Sequence, residues 1–584
     1  MHKLFVSPDR SPRLDHGDRV ILWLLTALYT VVTLLNLGTI RFPQSVWGSD
    51  PERPAVIDLG EERDVGAIAF NGNIATGQLR ISGDDGGSFE YKQEYGEMFA
   101  WKKKDVSFHT RYLRLDAMTG TVALNEIAVY DDRGALLPAS ADAQNQALTD
   151  EQTTVPQTPG YLNGMYFDEI YHARTAYEFI HNMNAYEWTH PPLGKLLIAL
   201  GILVFGMTPF GWRVVPALFG AAMLPVMFLL GKRLFRRRDL AFLAQALLAL
   251  DTMHFTQTRI ATVDVFIVFF ILWMFYFMAV FLQEDLLHET WRKLLPPLGA
   301  CGIAFGLGVA SKWTGLYAGV GLALLYFAHL TMAGLEAREK GESRLFWRRA
   351  IRLCLFCVGL FVVLPACIYF ASYTPFFRYE QSIRPTYGFG DAVKTVLQQQ
   401  ESMYGYHSNL TATHLCQSAW YEWPFTARSV WFYFTSGEHG KVSNISSTGS
   451  PAVWWISAVA MLCLISEALF GRLRTDSRER KSAAVFLMVG IAANLLPWML
   501  VPRCTFQYHF FPTLPFMILS GVLLVQHLED RGELPRGGKW LWLALAGVYF
   551  LLLLPAASGL PMPRIYAQFL EYALPTGILF FGAV

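Results

Sequence analysis

Residues Met165–Phe205 read MYFDEIYHARTAYEFIHNMNAYEWTHPPLGKLLIALGILVF, and how the end of this stretch is read decides the fold. The run Leu193–Phe205 is apolar throughout but short, whereas a helix needs about 20 residues to cross the hydrocarbon core. Pro191 and Pro192 suit the start of a helix. Upstream, Asp168 and Glu169 are adjacent carboxylates at the head of an amphipathic helix that continues through Tyr171, Ala176, Phe179 and Ile180. The unpaired N–H groups of a helix N-terminus favour an ionised carboxylate. A carboxylate kept charged there is a candidate general base. The same pair serves equally as an ordinary cap, and from this stretch alone that is the commoner outcome.

The composition sets the class. The chain has 584 residues, 53% of them hydrophobic and 15% aromatic, with a mean hydropathy of +0.29. Only 16% are charged, against roughly 25% in a soluble domain, so an integral membrane protein is expected. The net charge of +1 says nothing about a nucleic-acid partner, and with no basic tract none is expected. Cys354 and Cys357 lie in an apolar run where packing is expected, not metal or redox work. Cys416 and Cys504 offer one candidate disulfide. The first apolar run, Val20–Leu37, is too long for a signal-peptide core and is read as a retained anchor.

Taken in order, residues 1–40 form a cytoplasmic tail and a first span, with Lys3, Arg10, Arg13 and Arg19 ahead of it. Residues 41–140 change to short alternating segments at Ala67–Phe70, Gln78–Ser82, Ser88–Tyr91, Arg111–Leu115 and Glu126–Tyr130, with Gly83-Asp-Asp-Gly-Gly as a turn, which predicts a β domain. A polar linker covers 141–160. Residues 161–371 hold the catalytic first outer loop (161–210) and spans two to seven. A long extracytoplasmic loop covers 372–452, and spans eight to eleven fill 453–584. Apolar runs predict about eleven transmembrane helices, two of them at Leu240–His254 and Leu514–His527. If Leu193–Phe205 lies in the membrane plane, the basic loops Lys232–Arg238, Arg292–Lys293, Arg338–Arg352, Arg472–Lys481 and Arg531–Lys539 fall on one side with the N-terminus. That side is then cytoplasmic. The β domain, Asp168, Glu169, His190 and the long loop become extracytoplasmic.

The same topology gathers charges at the outer edge: Arg213 at a span's end, Arg259 and Asp264 in one turn, Lys312 in another, and Arg503 with His509 in a third. Charges at membrane depth are costly and usually functional, although helix-end anchoring explains any one of them. A cluster of cations beside carboxylates suits an amphiphile with a phosphate head.

Several pieces, in order, resemble the protein O-mannosyltransferase family of integral-membrane GT-C glycosyltransferases. They are Phe167-Asp-Glu, His190-Pro-Pro-Leu-Gly-Lys, Trp212-Arg, Arg259-Ile-Ala-Thr-Val-Asp, Ala310-Ser-Lys-Trp-Thr-Gly, His414–Ser418 with Trp420-Tyr-Glu-Trp-Pro, and Arg503 with Tyr508-His-Phe-Phe-Pro. The segment before them, through Ile57-Asp-Leu-Gly, the hairpin at Asp84, Arg111-Tyr-Leu-Arg-Leu and Leu124-Asn-Glu-Ile-Ala-Val-Tyr, resembles a discoidin-like jelly roll. The resemblance implies a mainly α, polytopic GT-C membrane protein with an inserted extracytoplasmic β-sandwich. It implies transfer of mannose from polyprenyl-phosphate mannose to Ser/Thr hydroxyls of exported proteins, with inversion. The implied catalytic pair is Asp168, the base, with Glu169. Arg213, Lys312, Arg503 and His509 are the implied donor-phosphate ligands, supported by His190, Asp264, Arg259 and Trp423. The outer loop is too short for the trefoil domain of eukaryotic members, which points to a bacterial type. No cofactor is expected, no spacing indicates a divalent cation, and His172, His181 and His190 are read as structural or substrate contacts. Membrane lipids, a glycan ligand of the β domain and a dimer are further expected partners. The alternatives are a related transferase acting on a glycolipid or cell-wall polymer, and a non-enzymatic transporter or export component. A transporter should carry polar residues near the bilayer midplane, not at one edge.

Overall fold

The computed structural model describes residues 14–437, 440–471 and 477–573. The tail holding Lys3, Arg10 and Arg13, and residues 472–476 of one basic loop, lie outside the described residues. The chain forms two compact units. The β unit comprises Asn36–Ile180 and Ile198–Val215, and the membrane unit comprises Met1–Leu35, His181–Leu197 and Pro216–Val584.

In the β unit, strands β1 (Trp47–Gly48), β2 (Ala55–Gly72), β3 (Gly77–Gly83), β4 (Ser88–Gln93), β5 (Trp101–Gly120), β6 (Ala123–Asp131) and β7 (Ser140–Ala141) make one antiparallel sheet in the order β1-β6-β2-β5-β3-β4, with β7 on β2. Every alternating segment of the sequence falls in one of these strands. The register of β2 against β5 breaks between Asp58 and Arg63, and such bulges bend a long strand. The sheet curls round a single core that includes Ile57, Ile68, Phe70, Leu79, Ile81, Leu113, Leu115, Leu124 and Ile127. The β3–β4 turn is closed by Gly83 N–H on the Gly87 carbonyl, and Gly86 sits at φ +81°, a conformation glycine adopts without Cβ strain.

The helices are α1 (His16–Leu34), α2 (Glu169–Ile180), α3 (Leu193–Phe205), α4 (Pro209–Phe235), α5 (Arg238–Ala249), α6 (Thr252–Thr258), α7 (Asp264–Leu282), α8 (Trp291–Ser311), α9 (Gly315–Glu339), α10 (Ser343–Val358), α11 (Leu364–Ser372), α12 (Thr374–Ile383), α13 (Phe389–Asn409), α14 (Pro451–Leu469), α15 (Arg478–Leu495), α16 (Leu514–Asp530) and α17 (Gly538–Ser558). Among the described residues nine helical segments are long and apolar enough to cross a membrane, α10 and α11 counting as one through a π-helical turn at Gly359–Val363. The chain is a multi-pass membrane protein. Two of the eleven anticipated spans fall outside the nine. Leu240–His254 is broken, because Asp251 caps a new helix by accepting the His254 N–H at 2.9 Å. The helix over Leu514–His527, α16, has 17 residues. The short run α3 is 13 residues long, and Leu200, Leu203 and Val204 on it are exposed.

One end of the membrane unit is laced by ion pairs between the anticipated cytoplasmic segments. Asp18 pairs with Lys232 and Arg238, Arg236 with Glu479, and Glu529 with both Arg237 and Lys539. All seven cysteines are free, so the disulfide anticipated between Cys416 and Cys504 is not formed.

Candidate active site

In the β unit the acidic stretch is held by its backbone. Phe167 has φ +50°, a left-handed conformation that is uncommon and strained for an aromatic residue. The turn it makes ends the preceding loop and starts α2 at Glu169, with the Asp168 carbonyl accepting the N–H groups of Tyr171 and His172. Glu169 is fully buried, and so is Arg213. Arg213 Nε and Nη2 donate to the two Glu169 oxygens at 2.7 and 2.6 Å. Its remaining donors reach the carbonyls of Leu37 (2.9 Å), Tyr161 (2.6 Å) and Gly164 (2.8 Å). The guanidinium also lies over the Tyr166 ring, 4.8 Å from its centroid. A guanidinium has five N–H groups, and all five are spent. The assignment of Arg213 as a phosphate ligand is therefore corrected: this arginine ties the chain before β1, the loop before α2, and the head of α4 into one knot. Glu169 is its counter-ion.

The remaining anticipated residues lie in the membrane unit. A cavity of about 460 Å³ is lined by His190, Lys312, Trp313, Tyr317, His407, Trp498 and Arg503, among others. Lys312 caps the C-terminal end of α8 and donates to Asp264, the first residue of α7, at 2.7 Å. Arg503 is half-buried, and no acceptor among the described residues takes its guanidinium. His509 is buried against Trp498 (ring centroids 4.3 Å apart) and Trp423 (5.9 Å) and bonds to Phe506 through Nδ1. Burial, reinforced by Lys312 and Arg503, holds His509 well below the usual histidine range. His407 is pushed down to about 4, chiefly by burial and then by its neighbours His190, Arg503 and Lys312, and burial also lowers His190. These histidines are neutral at pH 7, so the cavity's positive charge comes from Lys312 and Arg503. His509, anticipated as a donor-phosphate ligand, is a buried ring packed on Trp498, which lines the cavity.

Arg259 is nine-tenths buried and donates to the Thr33 and Leu35 carbonyls at the end of α1, so it closes a helix terminus. Trp423 is buried, with its indole N–H on Ser418. Sequence reasoning missed Glu187. It is buried, accepts from His190 Nδ1 at 3.0 Å, and pairs with the buried Lys195. A lone glutamate just outside the His190–Lys195 motif gave no spacing signal. His407 was missed for a similar reason, as one histidine on a long polar helix; its Nε2 meets the Thr189 carbonyl at 2.9 Å.

Two family profiles match the chain: "Dolichyl-phosphate-mannose-protein mannosyltransferase" over residues 203–379, and "C-terminal four TMM region of protein-O-mannosyltransferase" over residues 392–573. Together they span more than half of it. The polyprenol-phosphate-mannose–protein mannosyltransferase of Mycobacterium tuberculosis is 26% identical over 452 residues, which are 68% of this chain and 84% of that protein. The enzyme of the same name from Mycolicibacterium smegmatis is 27% identical over 453 residues, 68% and 85% of the two chains. Among solved structures, the S. cerevisiae protein O-mannosyltransferase Pmt1–Pmt2 complex bound to the sugar donor shares the fold, at a TM-score of 0.59 and 14% identity over 70% of this chain and 88% of that one. With its membrane helices, its motifs in order and these matches, the chain belongs to the protein O-mannosyltransferase family of GT-C membrane glycosyltransferases.

Proposed function

We propose that this protein transfers mannose from polyprenyl-phosphate mannose to Ser and Thr hydroxyls of exported proteins, inverting the anomeric centre, on the extracytoplasmic face. The observation that carries the reading is the 460 Å³ cavity in which Lys312 and the unclaimed guanidinium of Arg503 supply positive charge among aromatic walls. A sugar phosphodiester needs its leaving phosphate neutralised more than it needs an acid, and preorganised cations do this at little reorganisation cost. The acceptor oxygen attacks the anomeric carbon, the bond to the phosphate oxygen breaks, and that electron pair leaves with the lipid phosphate. In this reading the hydroxyl proton passes to Asp168, the base that the Phe167-Asp-Glu motif implies. A single displacement of this kind inverts the centre. The side assignment is supported by the ion-pair network at the opposite, basic end of the membrane unit.

The test is to reconstitute the purified protein with radiolabelled polyprenyl-phosphate mannose and offer Ser/Thr peptides or glycolipid acceptors. Label in peptide is the expected result. Label in glycolipid alone would move the protein to a different acceptor class. Asp168→Asn should cut transfer by about 10²–10⁴-fold, and near-normal transfer by that variant would remove the base assignment.

A further inference from the structure

A second cavity, of about 450 Å³, lies against the first: Pro502 and Arg503 line both. It is bordered by the chain that follows α13. Leu410, the residue capping that helix, is extended (φ −68°, ψ 111°), and residues 411–414 continue without regular structure. Thr411, Ala412 and Thr413 are exposed, and their backbone N–H and C=O groups bond to nothing among the described residues. The surrounding wall, by contrast, is fixed. Ser418 N–H meets the Thr505 carbonyl at 2.9 Å, and the Thr505 hydroxyl returns to the Ser418 carbonyl at 2.8 Å. Glu422 takes the Ala419 N–H at 2.7 Å, and Arg428 holds the Leu415 and Gln417 carbonyls. A polar cleft with a fixed wall therefore carries one irregular edge, led in by the extended Leu410, whose backbone hydrogen-bonding groups are unused among the described residues. Such an edge is what an incoming extended peptide pairs with, main chain to main chain.

We infer that residues 411–413 are the docking strand for the acceptor polypeptide, which lies extended in this cleft with its reacting hydroxyl turned toward the cavity across Arg503. This rests on the transferase reading above, since an acceptor must meet the donor's anomeric carbon and the two cavities meet at Arg503. Main-chain pairing explains acceptance of varied sequences, because every residue offers the same backbone groups. It also selects unfolded or loop segments over helices.

The test uses the full-length protein in liposomes and a set of acceptor peptides N-methylated at one residue at a time. In a paired strand only alternate N–H groups face the partner. Methylation should therefore raise the acceptor KM about tenfold at every second position, roughly one lost hydrogen bond, and little between. A p-benzoylphenylalanine placed at Thr413 should crosslink to peptide, and Ala412→Pro, which removes an N–H, should raise the acceptor KM far more than the donor KM. A flat methylation profile with active wild-type protein would overturn the docking strand and leave the transferase reading standing. If no peptide is mannosylated at all, the transferase reading itself fails.

Discussion

Two arginines show how differently the two units handle charge. In the β unit, Arg213 is fully buried with its five N–H groups committed to Glu169 and three carbonyls. In the membrane unit, Arg503 is half-buried between two cavities and has no acceptor among the described residues. The first is architecture and the second is available for a ligand. Both stand in the sequence as one arginine beside an apolar run. What separates them is the number of carbonyls and carboxylates the fold brings within reach, which no local pattern reveals.

The comparison breaks most sharply at the saturated pair. Removing one partner of a buried ion pair leaves the other charged and unpaired, at a cost of about 3–5 kcal/mol. Arg213→Met should therefore destabilise the β unit by that amount and lose all transfer through loss of protein. Arg213→Lys should rescue little, because an ammonium cannot span five acceptors in a planar fork. Glu169→Gln with Arg213→Met should recover part of the loss. Thermal unfolding of the detergent-solubilised variants checks this. A stable Arg213→Met protein with only a raised donor KM would return Arg213 to the ligand list.

A third buried charge is managed by protonation. Glu126 in β6 is fully buried, accepts from Glu151 N–H at 2.6 Å and Gln152 Nε2 at 2.7 Å, and feels the charge of Asp150. Burial pushes its carboxyl up from 4.5 to about 8. An acid whose pKa is raised by folding gives stability that is complete below about pH 4.5 and lost as pH rises through about 8. The β unit should lose about 2 kcal/mol over that window, allowing for relaxation round the carboxylate. Hydrogen exchange of the β6 amides, corrected for intrinsic pH dependence, should show the decline, and Glu126→Gln should flatten it. A decline of the same size in that variant would point to another group.

The legible part of the fold was whatever rests on periodicity or length. The strand segments are set by alternation, the nine membrane-length helical segments among the described residues by long apolar runs, and the Gly83–Gly87 turn by two adjacent glycines. The helix break within Leu240–His254 was not legible, because it depends on Asp251 finding Ser450 N–H at 3.3 Å and the Trp454 indole at 2.6 Å, some 200 residues away in the chain. The site divided the same way. Lys312 and Arg503, read from the ends of apolar runs, line one cavity, whereas Asp168 was read from the head of an amphipathic helix. Glu187 and the role of Arg213 were not, since each is defined by partners that only the tertiary fold supplies.

The smallest effect belongs to the open arginine. The Arg503 side chain bonds to no acceptor among the described residues, so its loss should cost the fold almost nothing and should appear as weakened donor binding. A charge-assisted bond to a half-exposed phosphate contributes about 1.5–3 kcal/mol, so Arg503→Ala should raise the donor KM about tenfold with the melting temperature unchanged. Arg503→Lys keeps the charge but loses the fork, and should fall between the two. Ionic strength separates this site from the buried pair, because salt screens partly exposed charges far more than buried ones. Raising salt should narrow the gap in donor KM between wild type and Arg503→Ala, while the cost of Arg213→Met stays put. If both effects decline together with salt, Arg213 is not sealed from solvent, and the contrast between the two arginines fails at its root.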